Sequence, residues 1–281
     1  MGVLSFPLIE KWQQSHDSWL LRFGLPEDQK ILGNNPLIPT CISVHHDSSL
    51  LDQNNNKVGL LKKSYSPISH PATEGTFDLL VKSYPPVPGG GVGNAIVSME
   101  VGQVLVGKLK AERQVHDSPV IGKRWDRIGL LACGTGIAPL IQLARIILDD
   151  PTDETKVHLL SVNRNEEDIL MRKDIDQLAR DHPDRFFVSY SLTGDNIRSD
   201  WEGHRGRGSV EMAQSSLPPP SSDNETTMIF VCGTDGFRDL WAGSIARAPP
   251  LPDGSKGPKI QGPLQVLLKQ AGYSESDVFK Y

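Results

Sequence analysis

The sequence predicts two folding units in series, an antiparallel β-barrel followed by an α/β domain built on a parallel sheet. Three observations lead there. Residues 1 to about 110 hold short segments rich in β-branched and aromatic residues, separated by Gly, Pro, Asn and Asp, the pattern of a small antiparallel barrel. From residue 127 onward strand-like and helix-like segments alternate, which implies parallel strands joined by crossovers. The length, 281 residues, suits two domains of ordinary size. The rhythm changes near residues 117–126, placing the units at 1–120 and 121–281.

In the first unit the strands are expected at "SWLLRFGLP" (18–26), "TCISVHH" (40–46), "GTFDLLVKSY" (75–84) and "GQVLVGKLK" (102–110). "SSLLDQNNNKVG" is a polar hairpin tip, its asparagines suited to a solvated turn. "KKSYSPISHP" (62–71) reads as a surface loop, and "YPPVPGGGVGNAI" as a glycine-rich loop opening a short helix. In the second unit "RIGLLAC", "KVHLLSVNR", "RFFVSYSLT" and "TTMIFVCGTDG" are expected strands. "APLIQLARIILDD", "EEDILMRKDIDQLARDHP" and "GPLQVLLKQAGY" are expected helices. "SSLPPPSSDNET" and "APPLPDGSKGPKIQGP" read as loops, the second unusually long.

Bulk properties remove several classes of function. Apolar residues make up 38% and charged residues 22%, a globular balance, and a net charge of -5 argues against a general nucleic-acid binder. The three cysteines, Cys41, Cys133 and Cys232, form no CxxC pair and no zinc or iron–sulfur spacing, so no metal site is expected. Widely spaced and odd in number, they suit a reducing compartment. The opening apolar stretch is interrupted too soon for a signal peptide or a membrane span, and Phe6 stands where N-myristoylation wants Ser or Thr. The expectation is a soluble, cytoplasmic monomer without an integral membrane segment, reaching a membrane only through a partner.

The chemistry-bearing segments begin with Gly134-Thr135-Gly136, a strand-to-helix turn whose unpaired N–H groups and helix dipole suit a phosphate. A tight βα connection would look the same. An ordinary dinucleotide fingerprint would have glycine where Pro139 stands and an acidic residue ending the next strand, which here ends "SVNRN". A second strand also ends in Cys-Gly-Thr, at Cys232. Cys232 could be an inert buried thiol, but two parallel strands ending in the same turn place both turns on one carboxyl edge, where α/β proteins bind ligands.

The ordered set K-x-Y-S-P-x-S, GGxxN, GTGIAP, N-R-x-x-x-D-I-L-x-R, CGTDG and a C-terminal aromatic resembles the ferredoxin–NADP reductase superfamily, and within it the NADH–cytochrome b5 reductase family. The resemblance runs from "HDSWLLRFGLP" to "VFKY". That family uses G-x-G-x-x-P, so Pro139 belongs to the pattern. It implies a β-barrel FAD-binding domain followed by a pyridine-nucleotide domain, with FAD and NADH as cofactors and NADPH as the alternative donor. The acceptor implied is a haem protein such as cytochrome b5, with no nucleic acid as partner.

Carried over residue by residue, the resemblance makes Tyr65 the aromatic that packs on the isoalloxazine and Ser66 the hydroxyl near flavin N5. Lys63 stands where an arginine usually holds the pyrophosphate, keeping the charge but losing the bidentate fork. Pro67 and Ser69 complete that motif, and Val81, Lys82 and Tyr84 belong to a strand lining the flavin. Gly91, Val92, Gly93 and Asn94 correspond to the loop over the pyrophosphate, Asn94 replacing the usual Ser or Thr. Gly134, Thr135, Gly136, Ala138 and Pro139 would frame the nicotinamide nucleotide, with Asn163 and Arg164 from the next strand. Cys232, Gly233, Thr234 and Asp235 would close it, and Ala138 stands where threonine is common. Tyr281 matches the family's last aromatic, at the flavin–nicotinamide junction. Ser66 and Cys232 are the catalytic candidates, tuning the contact through which hydride passes.

The donor is read from "SDWEGHRGRG". Glu202 after Trp201 disfavours a 2′-phosphate, whereas Arg205, Arg207 and Arg164 could welcome one or be solvated surface charges. NADH is the expectation. Two alternatives stay open: the same fold serving an oxygenase, quinone or desaturase chain, and a non-catalytic nucleotide-binding protein, which Lys63, Asn94 and Ala138 would suit.

Overall fold

A computed structural model describes residues 2–51, 57–84, 91–111, 114–115, 118–119 and 124–281. Its contacts form two compact units, Met1–Gly122 with Ile141–Asp149, and Lys123–Leu140 with Asp150–Tyr281. The hairpin tip at 52–56, Gly89 and Gly90 of the glycine-rich loop, and residues 120–123 of the expected boundary lie outside the described residues.

In the first unit, β1 (Leu4–Ser15), β2 (Ser18–Gly24), β3 (Ile42–Leu51), β4 (Lys57–Tyr65), β5 (Thr76–Lys82) and β6 (Val104–Leu109) form a six-stranded sheet in the order β4-β3-β6-β1-β2-β5. Every pairing in it is antiparallel. Alternation sets the inward face: Phe6 and Leu8 of β1 are fully buried while Pro7 between them and Ile9 after them are exposed. The two halves of the sheet share one core, in which Phe77 stacks on Phe23 and meets Phe6 edge-on. Arg22 and Asp78, opposite each other on β2 and β5, add a bidentate pair at 2.8 and 3.0 Å.

β1, which begins close to residue 1, carries Pro7, Glu10 and Lys11 yet pairs with both β2 and β6. One expectation needs correction here. Lys62 to Tyr65 belong to β4 rather than to a loop, because they complete the ladder with β3, and the turn starts only at Ser66. The expected short helix is present as α1 (Val92–Val97). A short pair, β7 (Gln114–Val115) and β8 (Ser118–Pro119), follows β6.

The second unit alternates strand and helix: β9 (Arg127–Cys133), α2 (Ile137–Asp149), β10 (Lys156–Asn163), α3 (Arg172–Asp181), β11 (Phe186–Leu192), β12 (His204–Arg205), α4 (Val210–Ser216), β13 (Thr227–Cys232) and α5 (Asp235–Ala242). After a small antiparallel pair, β14 (Ala246–Arg247) and β15 (Lys259–Ile260), the chain ends with α6 (Val266–Gln270) and β16 (Val278–Lys280). The long "loop" thus contains a two-stranded ribbon. The sheet is wholly parallel in the order β12-β11-β10-β9-β13-β16. Its central strands read as unbroken apolar runs because both faces are buried. The helix expected from Glu166 starts only at Arg172. Glu166–Asp168 is a 3-10 turn closed by an Asn165–Asp168 capping box, and Met171 adopts a left-handed φ of 58° that breaks the run.

Candidate functional site

The strand order places a topological switch between β9 and β13. From β9 the chain steps through β10, β11 and β12, then returns to the opposite side of β9 as β13. In open parallel sheets the crevice beyond the carboxyl ends at such a switch is where ligands bind. Both Cys-Gly-Thr turns stand there. After Cys133 the chain enters a 3-10 turn, Gly134–Gly136, through a positive φ of 53° at Gly134, and runs directly into α2. A Cβ on Gly136 would lie 2.2 Å from the Cys232 carbonyl oxygen, and one on Gly233 would lie 2.8 Å from the Cys133 Cβ. Glycine at both positions lets the two turns press together.

Other expected residues of this unit fall into place around the turns with distinct duties. Thr234 Oγ1 accepts from the Phe237 N–H and caps α5, while Asp235 is exposed and pairs with Arg238 at 2.8 Å. Ala138 and Pro139 are buried in the first turn of α2, where proline's missing N–H breaks no helical bond. Asn163 is buried at the end of β10 and donates to Ser161, and Arg164 lies beside it, its carbonyl accepting from Gly194. Tyr281 follows β16, its N–H donating to the Val231 carbonyl at 3.0 Å. That bond sets the terminal aromatic one residue from Cys232.

In the first unit the expected residues gather at the ends of β4 and β5. Tyr65 closes β4, and its hydroxyl is buried without a hydrogen-bond partner among the described residues. Burial first, and then nearby Tyr84, raise its pKa above the ordinary phenol value, so it is a neutral donor. Gly93 lies close by: a Cβ there would meet the Lys82 carbonyl at 3.0 Å and the Tyr65 hydroxyl at 3.4 Å. Lys63 Nζ stands 5.7 Å from the centre of the Tyr65 ring and 5.6 Å from that of Tyr84. Lys82, after buried Val81, pairs with Asp17 at 2.5 Å. Burial pushes the Asp17 carboxyl up, but hydrogen bonds from Lys82 and Ser18 outweigh it and hold the group below its ordinary value.

Some residues prove to shape the surroundings. Asn94 Nδ2 donates to the Tyr84 carbonyl and its Oδ1 accepts from the Tyr84 N–H, both at 2.8 Å, clamping the exit of β5 to α1. Ser69, buried after Pro67, accepts from the Asp78 N–H and pins its segment to β5. Ser66 is half-buried at the turn between them, and Gly91 and Val92 open α1. A buried phenol with no partner beside a glycine-cleared backbone and a lysine suits a large anionic aromatic ligand, and the donor set fits FAD.

A cavity of about 560 Å³ lies at the β11–β12 edge of the second unit, lined in part by Glu166, Arg172, Tyr190, Arg198, Trp201 and Glu202. The Arg172 guanidinium stands 5.7 Å from the ring centres of both Tyr190 and Trp201 and pairs with Glu166. Arg198 forms a two-point pair with Asp200 at 2.9 and 2.6 Å. Both cations already have carboxylate partners, and Glu202 adds a further negative charge. Arg172 is the closing arginine of the N-R-x-x-x-D-I-L-x-R motif, but no role is read from it there, because an arginine early in a helix reads as a solvated charge. Among the described residues no group of three metal-ligating side chains occurs, and no helix is long and apolar enough to cross a membrane.

Comparison with known proteins follows this geometry. The oxidoreductase FAD-binding domain family matches residues 5–109 and the oxidoreductase NAD-binding domain family residues 130–241. NADH-cytochrome b5 reductase 2 of Mus musculus is 33% identical, over 98% of this chain and 93% of its own length. The protein of the same name from Aspergillus terreus is 36% identical over 100% of this chain and 78% of its own. Among solved structures, the cytochrome b5 reductase domain of Ulva prolifera nitrate reductase superimposes with a TM-score of 0.69 at 28% identity, covering 85% of this chain and 90% of that one.

Proposed function

The chain belongs to the NADH–cytochrome b5 reductase family of FAD- and NAD-binding oxidoreductases, and from that membership we propose that it takes hydride from NADH and delivers electrons singly to cytochrome b5 or a related haem protein. Bound FAD supplies the chemistry that converts a two-electron donor into two one-electron deliveries. The residues of the chain bind and orient. Tyr65, with its ring and neutral hydroxyl, and Ser66 would hold the flavin, and Lys63 would neutralise pyrophosphate charge. Gly93 admits the backbone of α1, which Asn94 holds in place.

The paired turns at the β9–β13 switch carry the nucleotide half of this reading. Gly134 to Gly136 and Cys232 to Gly233 offer main-chain surface at one point of the carboxyl edge, with Tyr281 beside them. NADH rather than NADPH is favoured by the cavity at the β11–β12 edge, whose arginines are paired internally and whose Glu202 would repel a 2′-phosphate.

The test is anaerobic addition of NADH to the FAD-loaded protein, followed by purified oxidised cytochrome b5. Bleaching of the flavin bands and then appearance of the reduced haem spectrum are expected. A flavin that stays oxidised would overturn the reading. Rapid bleaching with electrons passed to a quinone but not to the haem would move the acceptor to a different class.

A further inference from the structure

Lys280 is an unusual place for a charge: it is the last residue of β16, one position from the end of the chain, and 3% exposed. Its ammonium lies 3.1 Å from the carbonyl oxygen of Pro263, 3.2 Å from Gly262, 3.3 Å from Ser244 and 3.4 Å from Ala242. Three N–H donors shared among four carbonyls replace a hydration shell. Ala242 ends α5, so the cation also faces the negative pole of a helix.

The socket is built by backbone that only glycine accommodates. Gly243 has a φ of 83°, and a Cβ there would stand 3.0 Å from the Pro263 carbonyl. Gly262 has a φ of 66°, and a Cβ there would stand 2.6 Å from the Ser244 carbonyl. These glycines sit at the two ends of the excursion that carries β14 and β15. Gln261 adds a second clasp, its Nε2 donating to the Lys280 carbonyl at 3.1 Å and its Oε1 accepting from the Lys280 N–H at 2.7 Å. On the sheet side Lys280 pairs with Val231, whose carbonyl accepts from the Tyr281 N–H.

An apolar side chain would be buried more cheaply at this position than an ammonium. What the ammonium alone supplies is a simultaneous hold on α5, on both ends of the excursion and on the final strand. We propose that Lys280 is a positioning residue for the reaction with NADH: its carbonyl-bound ammonium ties α5 and the excursion to β16 and so sets where Tyr281 stands at the carboxyl edge. The inference rests on the reading of Tyr281 as the aromatic that meets the nicotinamide.

A double-mutant cycle on the FAD-loaded full chain tests it, with Lys280→Met, Tyr281→Ala and their combination, read by NAD⁺ affinity in titration calorimetry and by KM and kcat for NADH. Lys280→Met is expected to retain FAD, to weaken NAD⁺ about tenfold, and to add nothing further in the Tyr281→Ala background. Lys280→Arg should restore part of the loss. Should Lys280→Met not fold, Gln261→Ala enters the same cycle with a smaller effect in the same direction. Equal losses in both backgrounds, or a lowered melting temperature with unchanged NAD⁺ affinity, would overturn the proposal and leave Lys280 a structural staple. If Tyr281→Ala binds NAD⁺ and turns over NADH like the native chain, the proposal falls while the family reading stands. Failure of the native FAD-loaded protein to react with NADH would remove both.

Discussion

The Cys232 carbonyl oxygen occupies the space beside Gly136, lying 2.2 Å from where a Cβ would stand on that glycine. The obstacle is backbone on both sides, so neither partner can move aside by a rotamer change. Gly136→Ala must therefore part the two turns or distort the start of α2. It is expected to cost about 2–4 kcal/mol of stability, as overpacking in a tight site does, and to weaken NAD⁺ at the same time. Urea unfolding and calorimetric titration check the two effects, and an unaltered midpoint would mean that the turns are not packed together.

The orphaned Tyr65 hydroxyl separates folding from cofactor binding. Removing an unsatisfied buried hydroxyl leaves the apoprotein unharmed or more stable by about 1 kcal/mol. Tyr65→Phe should thus melt no lower than the native apoprotein while binding FAD about tenfold more weakly. A fall in apoprotein stability would show that the hydroxyl has a partner within the fold.

For Cys232 too the expected loss falls on function rather than on folding. It ends β13 half-buried at the carboxyl edge, its neighbours held by main-chain contacts. Cys232→Ala is expected to lower kcat more than it disturbs folding. Stopped-flow reduction of bound FAD by NADH is the measurement, and unchanged turnover would make the thiol inert.

Glu202 lines a cavity in which Arg172 and Arg198 already have carboxylate partners. Glu202→Arg removes a repulsion and adds an unpaired cation. The ratio of kcat/KM for NADPH to that for NADH should rise by about tenfold or more. A ratio that does not move would place donor choice elsewhere.

His158 of β10 stacks near Phe187, with ring centres 4.7 Å apart. Burial, reinforced by the positive charges of Arg127 and Lys156, pushes its pKa down to about 4 from 6.5. The folded state then binds its proton less readily than the unfolded chain, so the contribution is fully present above about pH 6.5 and is lost as pH falls through about 4. After discounting for partial exposure, the loss is on the order of 1 kcal/mol. His158→Phe should flatten that part of the urea-midpoint profile; a slope unchanged by the substitution would assign the acid sensitivity to other groups.

What could be read from the chain divides along the range of the interactions involved. The strand–turn–helix at 127–149, the repeated Cys-Gly-Thr at 232 and the change of rhythm between the two units were legible, because glycine, proline and apolar periodicity act over a few neighbouring residues. Local composition misled where a partner strand overrode it: Lys62 to Tyr65 look like a turn until β3 supplies their ladder. The late start of α3 depends on one left-handed residue, Met171, that no composition reveals.

By itself the sequence determined the order of the two units, the two Cys-Gly-Thr turns at strand ends and the family to which the chain belongs. Only the tertiary structure decided that β13 returns beside β9, bringing Gly136 against Cys232. It also decided that the Tyr65 hydroxyl is left without a partner within the described fold, and that Lys280 is enclosed by carbonyls from segments distant in the chain. The physical reason is the same in each case: sheet order, burial and hydrogen-bond satisfaction are set by residues far apart in sequence, whose encounter no local propensity records.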